Sequence, residues 1–247
     1  MTMQNPSENT LYASALSAKF SDFEEAARYA LLQRLVPSIR HNLVGNFQST
    51  VMLTAVLERR LKAVEPDLDS ARETCVLLGS VARTAASASI DLMTWIQPKA
   101  LATLKFNAGL LECLGLLSTE LRFKGFAIVN EVPAIDVELS SAALRSVLCA
   151  ALLTLSDLSK APANLIIRAL ALPDRVELTI DLRSTESHTP TLPSEGYRPL
   201  SWRDVEILAM AESVKLTHAS ESAQLTFPLQ GASLTVDEII EGAIIAN

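Results

Sequence analysis

Apolar residues in the first part of the chain recur at helical spacing. Every fourth residue from position 31 to position 47 is apolar, which places one apolar stripe along a helix. The stripe consists of Leu31, Leu35, Ile39, Leu43 and Phe47. The pattern predicts a first helix over residues 21–64, after a polar segment of residues 1–20. Pro66 ends this helix, and the acidic residue Asp67 begins the next one.

A second helix is predicted over residues 67–96. Its inner positions alternate steps of four and three residues, which is typical of the seam of a coiled coil or an antiparallel bundle. These positions are Ala71, Cys75, Leu78, Ala82, Ala85, Ser89, Leu92 and Ile96. Two helices cannot bury such seams alone, so the pattern favours a four-helix bundle formed by a homodimer.

The sequence changes character after Pro98, where shorter apolar runs alternate with turn residues. A third helix is predicted over residues 99–121, with one face formed by Leu104, Ala108, Leu111 and Leu114. The remaining predicted elements, in order, are a strand at 126–130, a helix from Ser140 or Ser141 to 158, strands at 164–172 and 176–182, a loop at 183–199, a helix at 201–212, and a strand hairpin at 214–218 and 224–229.

Composition narrows the classes of function. The net charge is −7 and the basic residues are scattered, which argues against nucleic acid as a partner. We find neither an uninterrupted run of 18 apolar residues nor a signal peptide, so we expect a cytoplasmic protein without a membrane span. The three cysteines are far apart, and the three histidines lack metal-ligand spacing, so no metal site is expected.

Three stretches resemble the core of the two-component histidine kinases. Residues 40–48, Arg-His-Asn-Leu-Val-Gly-Asn-Phe-Gln, resemble the phosphoacceptor box on the first helix of that core. Residues 144–154 resemble the helix that carries the family's N-box, and residues 201–229 resemble the last helix and hairpin of the ATPase domain. The order of predicted elements agrees with the family from about residue 22 to residue 230.

The resemblance implies an α+β protein. Residues 21–97 would form the antiparallel helical hairpin for dimerisation and histidine phosphotransfer, which becomes a four-helix bundle in the homodimer. Residues 98–230 would form an α/β sandwich of the histidine-kinase ATPase (HATPase) type. Residues 231–247 would be a tail with a short helix, because Thr235 and Glu238 have the spacing of a capping box.

The nucleotide motifs of the family are degenerate in this chain. Ala150 and Thr154 occupy the N-box positions at which the family places a magnesium-binding asparagine. Asp181 matches the aspartate of the adenine motif, but no glycine follows it, and Leu200 and Trp202 lie where the family has a glycine-rich lid. Backbone amides cradle phosphates where glycine permits the necessary turns. We therefore predict no ATP binding and no bound cofactor.

The resemblance makes His41 the candidate phosphoacceptor. It lies about 200° around the helix from both Ile39 and Leu43, so it points away from the apolar stripe. Asn42 replaces the acidic residue that many kinases place after the histidine, and an amide is a poor general base. Phosphotransfer from a response-regulator receiver domain, which brings its own magnesium, depends less on such a base.

Other residues of the same helix complete the predicted site. Arg34 and Arg40 would favour the phosphate, and Ser38, Gly45 and Gln48 would lie on the receiver-docking face. Alternatives remain open: a histidine kinase with a diverged ATP site, and a non-catalytic protein that docks receivers or kinases. A lone exposed histidine on a helix is also often just a solvated side chain.

Overall fold

The computed structural model describes residues 6–96, 102–160, 162–185 and 198–229. The chain divides into two compact units. The hairpin unit comprises Leu35–Lys99, and the α/β unit comprises Met1–Arg34 together with Ala100–Asn247. The first helix therefore contributes residues to both units, whereas the sequence predicts all of it within the hairpin domain.

Two long helices form the hairpin. Helix α1 is Pro6–Leu61 and helix α2 is Leu68–Ile96. Helix α1 begins inside the segment 1–20 rather than at residue 21, because residues 7–20 contain neither glycine nor proline to stop it. The predicted turn at residues 65–67 is confirmed, and the backbone N–H of Ser70 donates to Asp67 Oδ1 at 3.0 Å.

The buried seam of α2 agrees in part with the predicted one. Ala71 and Ala85 of the predicted seam are buried, whereas Cys75 and Ala82 are exposed, and Thr74, which was not predicted, is buried. Steps of three and four residues fit Thr74 as well as Cys75. Arg60 Nη1 of α1 donates to Thr74 Oγ1 at 2.7 Å and thereby accounts for this polar seam position.

The α/β unit contains the rest of the regular structure. Its elements in chain order are β1 Thr103–Lys105, α3 Phe106–Phe123, β2 Phe126–Asn130, β3 Glu138–Ser140, α4 Ser141–Ala143, a π-helical turn Leu144–Leu148, α5 Cys149–Leu158, β4 Ala163–Ala171, β5 Arg175–Ser184, α6 Trp202–Ala211, β6 Lys215–His218 and β7 Ser222–Pro228. This order confirms the predicted strands, the helix that ends at Leu158 and the final helix and hairpin.

A five-stranded sheet with the order β2-β4-β5-β7-β6 forms the framework. Strand β2 is parallel to β4, and the other neighbours are antiparallel. Along β5, Val176, Leu178 and Ile180 are fully buried and alternate with less buried polar residues. Helices α3, α5 and α6 complete the core with their own apolar faces. The predicted α+β class is therefore confirmed for this unit.

The third helix differs from its prediction in both start and orientation. It begins at Phe106, because Thr103–Lys105 forms strand β1, which pairs with β3. Leu111, expected on the inner face, is 61% exposed. Leu104 of β1 instead covers the helix at Gly109, where a Cβ would lie only 2.0 Å from Leu104 Cδ1. The inner face consists of Phe106, Leu110, Cys113, Leu114, Leu117 and Leu121.

One described segment, Ser141–Leu158, is long and apolar enough to span a membrane, but 78% of it is buried inside the protein. Its burial against the sheet and neighbouring helices identifies it as a core helix of the α/β unit. The loop of residues 186–197 and the predicted capping box at Thr235 and Glu238 lie outside the described residues.

Candidate functional site

His41 lies on helix α1 within the hairpin unit, and its side chain is exposed. Ile39 and Leu43, on the other side of the helix, are half-buried. This orientation agrees with the helical-wheel prediction. An exposed imidazole on a regular helix is accessible to a second protein, which a phosphoryl-transfer step between two proteins requires.

The surface around His41 is open and partly apolar. Arg40, Gly45 and Gln48 are exposed, whereas Asn42 is half-buried. A Cβ built on Gly45 would meet no atom of the described residues within 4 Å beyond its chain neighbours and its own helix backbone, so there is open space one turn from the histidine. The neighbouring Val44 and Phe47 are 56% and 52% exposed, although Phe47 was predicted to lie on the buried stripe.

Arg34 and Ser38 do not join this exposed surface. Both are only 4% exposed, so the predicted site is not accessible to solvent at these two positions, which precede His41 in the sequence. Arg34 belongs to the α/β unit, where its guanidinium group binds two carboxylates. The predicted role of Arg34 towards a phosphate on His41 is therefore wrong, because its charge is already neutralised away from solvent.

The partners of Arg34 form a compact group of charges, here called the Arg34 cluster: Arg34, Glu120, Lys124 and Asp157. Arg34 Nη2 donates to Glu120 Oε1 at 2.8 Å and to Asp157 Oδ1 at 3.1 Å. Lys124 Nζ lies 3.1 Å from Glu120 Oε1 and also pairs with Asp157. Each side chain is at most 15% exposed, so the cluster is nearly buried and formally neutral.

The same segment of α1, which belongs to the α/β unit, makes further contacts within that unit. Arg28 Nη2 donates to Glu212 Oε1 at 2.6 Å, and the guanidinium group of Arg203 lies 5.3 Å from the ring centre of Phe23. Ala27 and Leu31 of α1 are buried. No local sequence pattern reveals these contacts, because Arg28 and Arg34 pair with acidic residues that are far away in the sequence.

Residues of the region that resembles a nucleotide site belong to the core. Ala150 and Thr154 are both fully buried, and the hydroxyl of Thr154 has no hydrogen-bond partner among the residues that the structure describes. Leu200, at the position of the lid, is 1% exposed. A magnesium nucleotide needs several oxygen ligands that can reach it, and a buried alanine and a buried threonine do not supply them. Ala150 and Thr154 therefore do not supply magnesium ligands.

Two further residues of the degenerate motifs have structural partners. Asp181 Oδ2 accepts a hydrogen bond from Arg168 Nη1 at 2.8 Å. The ring of Trp202 stacks on His218 of β6, with centroids 4.2 Å apart and planes inclined by 6°. His218 Nε2 lies 3.3 Å from Glu206 Oε1. His218 lies on β6, at the edge of the sheet, and its side chain is only 15% exposed.

Asp204 fixes the start of α6. Its Oδ2 accepts hydrogen bonds from the backbone N–H and hydroxyl of Ser201, which also caps the helix. Arg198 donates to both carboxylate oxygens at 2.8 and 2.7 Å. Burial alone would raise the pKa of Asp204, but the hydrogen bonds from Arg198 and Ser201 outweigh it and lower the pKa to about 2. This network was not predicted from the sequence.

In the part of the chain that the structure describes, no group of three or more His, Cys, Asp or Glu side chains is placed to hold a metal ion. Cys113 and Cys149 are buried and Cys75 is exposed. Burial raises the pKa of the Cys149 thiol well above its ordinary value, with Cys113 as a further contributor. Cys113 and Cys149 are therefore core residues.

No family model matches the chain, and no curated protein matches it in sequence. Several solved structures of histidine kinases are similar to it. Histidine kinase AdeS of Acinetobacter baumannii is 15% identical, with a TM-score of 0.39, over 72% of this chain and 94% of its own. A Burkholderia phymatum histidine kinase is 15% identical, with a TM-score of 0.40, over 78% of this chain and 99% of its own. Histidine kinase ThkA, solved in complex with the response regulator protein TrrA, is 12% identical, with a TM-score of 0.40, over 89% of this chain and 66% of its own.

Proposed function

We propose that this protein is a histidine phosphotransferase of two-component signalling that works without ATP. It would accept a phosphoryl group from the aspartyl phosphate of one receiver domain on His41 and pass it to the aspartate of another. The observation that carries the proposal is the burial of Ala150 and Thr154 where the family resemblance requires a magnesium ligand, combined with an exposed histidine in the family's phosphoacceptor box.

The chemistry of the transfer suits an exposed imidazole. The unprotonated ring nitrogen attacks phosphorus, the new P–N bond forms as the P–O bond to aspartate breaks, and the carboxylate leaves with the electron pair. No proton has to be removed before the attack, so Asn42 in place of an acidic residue is compatible with the step. The second transfer is the reverse reaction with a different aspartate. Magnesium would accompany each receiver.

Open space beside His41 supports the docking of a receiver. Gly45 leaves the helix surface flat one turn after His41, and Val44 and Phe47 offer apolar contacts at its edge. Glycine within a helix costs about 1 kcal/mol relative to alanine. A stable docking surface needs such a combination of an accessible reactive group and apolar anchors around it.

We further propose that the protein forms a homodimer. On α1, Val51 and Met52 are more than half exposed, and on α2 so are Val76 and Ile90. Exposed apolar residues repeated along both helices of a hairpin are expected where a second hairpin covers them. A four-helix bundle formed by two copies buries these faces and places two phosphoacceptor histidines in one particle.

One observation favours the second candidate, a non-catalytic receiver- or kinase-docking protein. Because Arg34 is buried, Arg40 is the one arginine of the predicted site that remains exposed beside His41. A phosphoryl-transfer site with fewer cations stabilises the transferred charge less. Docking alone does not depend on that stabilisation.

The test is a relay with two receivers. A radiolabelled, phosphorylated donor receiver is mixed with an unphosphorylated acceptor receiver and a small amount of this protein, with ATP omitted. We expect the protein to accelerate transfer of label to the acceptor over many turnovers. His41→Gln should abolish the acceleration, whereas the matched variant His188→Gln should retain it. Acceleration only with added ATP would indicate a kinase, and receiver binding without any acceleration would indicate the docking protein.

A further inference from the structure

The part of α1 that carries His41 contains no acidic residue. Within the hairpin unit, residues 35–57 of α1 include neither aspartate nor glutamate, and this range is here called the acid-free segment. The chain has 28 acidic residues against 21 lysines and arginines, so the segment differs in charge from the rest of the protein. Arg40, Asn42 and Gln48 give the segment polar side chains that carry no negative charge.

The acidic residues of the hairpin unit are concentrated near its turn. Five of them lie between residues 58 and 73, and the sixth is Asp91 of α2; the five are Glu58, Glu65, Asp67, Asp69 and Glu73. Glu58 is the first of these on α1 and follows His41 by 17 residues, which is about 25 Å along the helix. This distance exceeds the Debye length of about 10 Å at 0.1 M ionic strength. Salt therefore screens His41 from the carboxylates near the turn.

The side chains that α1 exposes around His41 are cationic or uncharged. Arg40 and Gln48 are exposed with His41, and the exposed residues Val44 and Gly45 lie between them. Arg40 forms no ion pair with any residue that the structure describes. Its positive charge is therefore available to a second molecule that approaches the histidine.

This distribution of charge favours the approach of an anion to His41. A phosphoryl group carries about two negative charges at neutral pH, so a carboxylate beside the imidazole would repel it. Along the acid-free segment, the phosphoryl group meets one exposed cation, Arg40, and no carboxylate of α1. Surfaces of opposite charge raise the rate at which two proteins meet, and surfaces of like charge lower it.

We propose that the acid-free segment fits a receiver domain whose docking face is anionic around its phosphoryl group, and that Arg40 accelerates their association electrostatically. This inference rests on the proposed function, since it assigns the charge of the partner at the same histidine. A receiver with a neutral or basic docking face associates more slowly, so the segment selects among receivers by charge. Arg40 acts on the encounter of the two proteins, before the phosphoryl group is transferred.

Association rates in a chain that cannot be phosphorylated test this inference without requiring transfer. In the full chain with His41→Ala, binding of the receiver domain that binds most tightly in a panel is followed by stopped-flow fluorescence of the labelled receiver. Arg40→Glu is compared with Arg59→Glu, which changes the net charge equally at an exposed position of α1 about 27 Å from residue 41. At low salt, we expect Arg40→Glu to lower the association rate constant about fivefold and Arg59→Glu to lower it less than about twofold.

Ionic strength supplies the second readout. Raising NaCl from about 0.05 M to about 0.5 M should lower the association rate constant at least about threefold, and the difference between Arg40→Glu and Arg59→Glu should shrink. Equal rates for the two variants, association that is insensitive to salt, or no receiver binding at low salt would overturn the inference, even if the relay itself succeeds. Salt-dependent association that requires Arg40, in a protein that then fails to relay phosphate, would support the inference and contradict the proposed phosphotransfer alone.

Discussion

Replacing Arg34 with methionine removes the cation that α1 contributes to the Arg34 cluster while retaining much of the side-chain volume. In the wild type, two cations face two carboxylates. In the variant, Lys124 alone faces Glu120 and Asp157, whose side chains are 15% and 9% exposed. The cluster of the variant therefore carries a net charge of −1 at a site that solvent scarcely reaches. Methionine supplies no donor to replace the lost hydrogen bonds to Glu120 and Asp157.

The magnitude follows from this charge count. Removing one member of a buried ion pair costs about 3–5 kcal/mol. Both carboxylates lie in the last turns of their helices, α3 and α5, where the helix dipole adds a smaller penalty. Lys124 offsets part of the loss. We therefore expect Arg34→Met to lower the free energy of unfolding by about 3 kcal/mol, roughly two orders of magnitude in the folding equilibrium.

Urea denaturation measures this effect, with all variants at one protein concentration because association contributes to apparent stability. Arg59→Met is the matched control: Arg59 is exposed on the same helix and should change stability by less than about 0.5 kcal/mol. Adding Asp157→Asn to Arg34→Met restores neutrality and should recover part of the loss. A stability of Arg34→Met within 0.5 kcal/mol of the wild type would refute the reasoning.

Two further predictions concern other parts of the structure. The pKa of Asp204 is lowered from 3.8 to about 2, so its contribution is complete above pH 4 and disappears as the pH falls towards 2. Asp204→Asn should therefore destabilise the protein by about 2 kcal/mol at pH 7, and by less in denaturation at pH 3; an equal loss at both pH values would contradict the assignment. Gly45→Ala should raise stability by about 0.5–1 kcal/mol, as should Gly115→Ala, because neither Cβ meets another atom. Only Gly45→Ala should also slow receiver-dependent transfer, and equal transfer rates would show that the space beside His41 is not used.

Local patterns in the sequence predicted most of the α/β unit. The two strands on either side of the turn before Arg175 and the helix predicted at 201–212 depend on neighbouring residues, and they occur within a few residues of their predicted bounds. The alternation of apolar residues along β5 defines its buried face without reference to distant elements. Strand β1 was missed because it has only three residues, and its partner β3 is far away in the sequence.

The predictions that differ from the structure concern positions whose burial depends on contacts with residues distant in the sequence. Helical spacing permits several seams on α2, and the hydrogen bond between Arg60 and Thr74 accounts for the position actually buried. Arg34 lies on the same side of α1 as His41, so a helical wheel groups the two residues. Burial of Arg34 depends on Glu120 and Asp157, more than 80 residues away, and no local pattern indicates that they meet it.

The central claim is that His41 itself carries the phosphoryl group. A panel of phosphorylated, radiolabelled receiver domains is incubated with an equal amount of this protein, wild type or His41→Ala, and label on the protein is followed over a single turnover. We predict acid-labile label on the wild type, mapped to the peptide that contains His41, and none on the variant. Label on both proteins, or on neither when receiver binding has been demonstrated, would contradict the account.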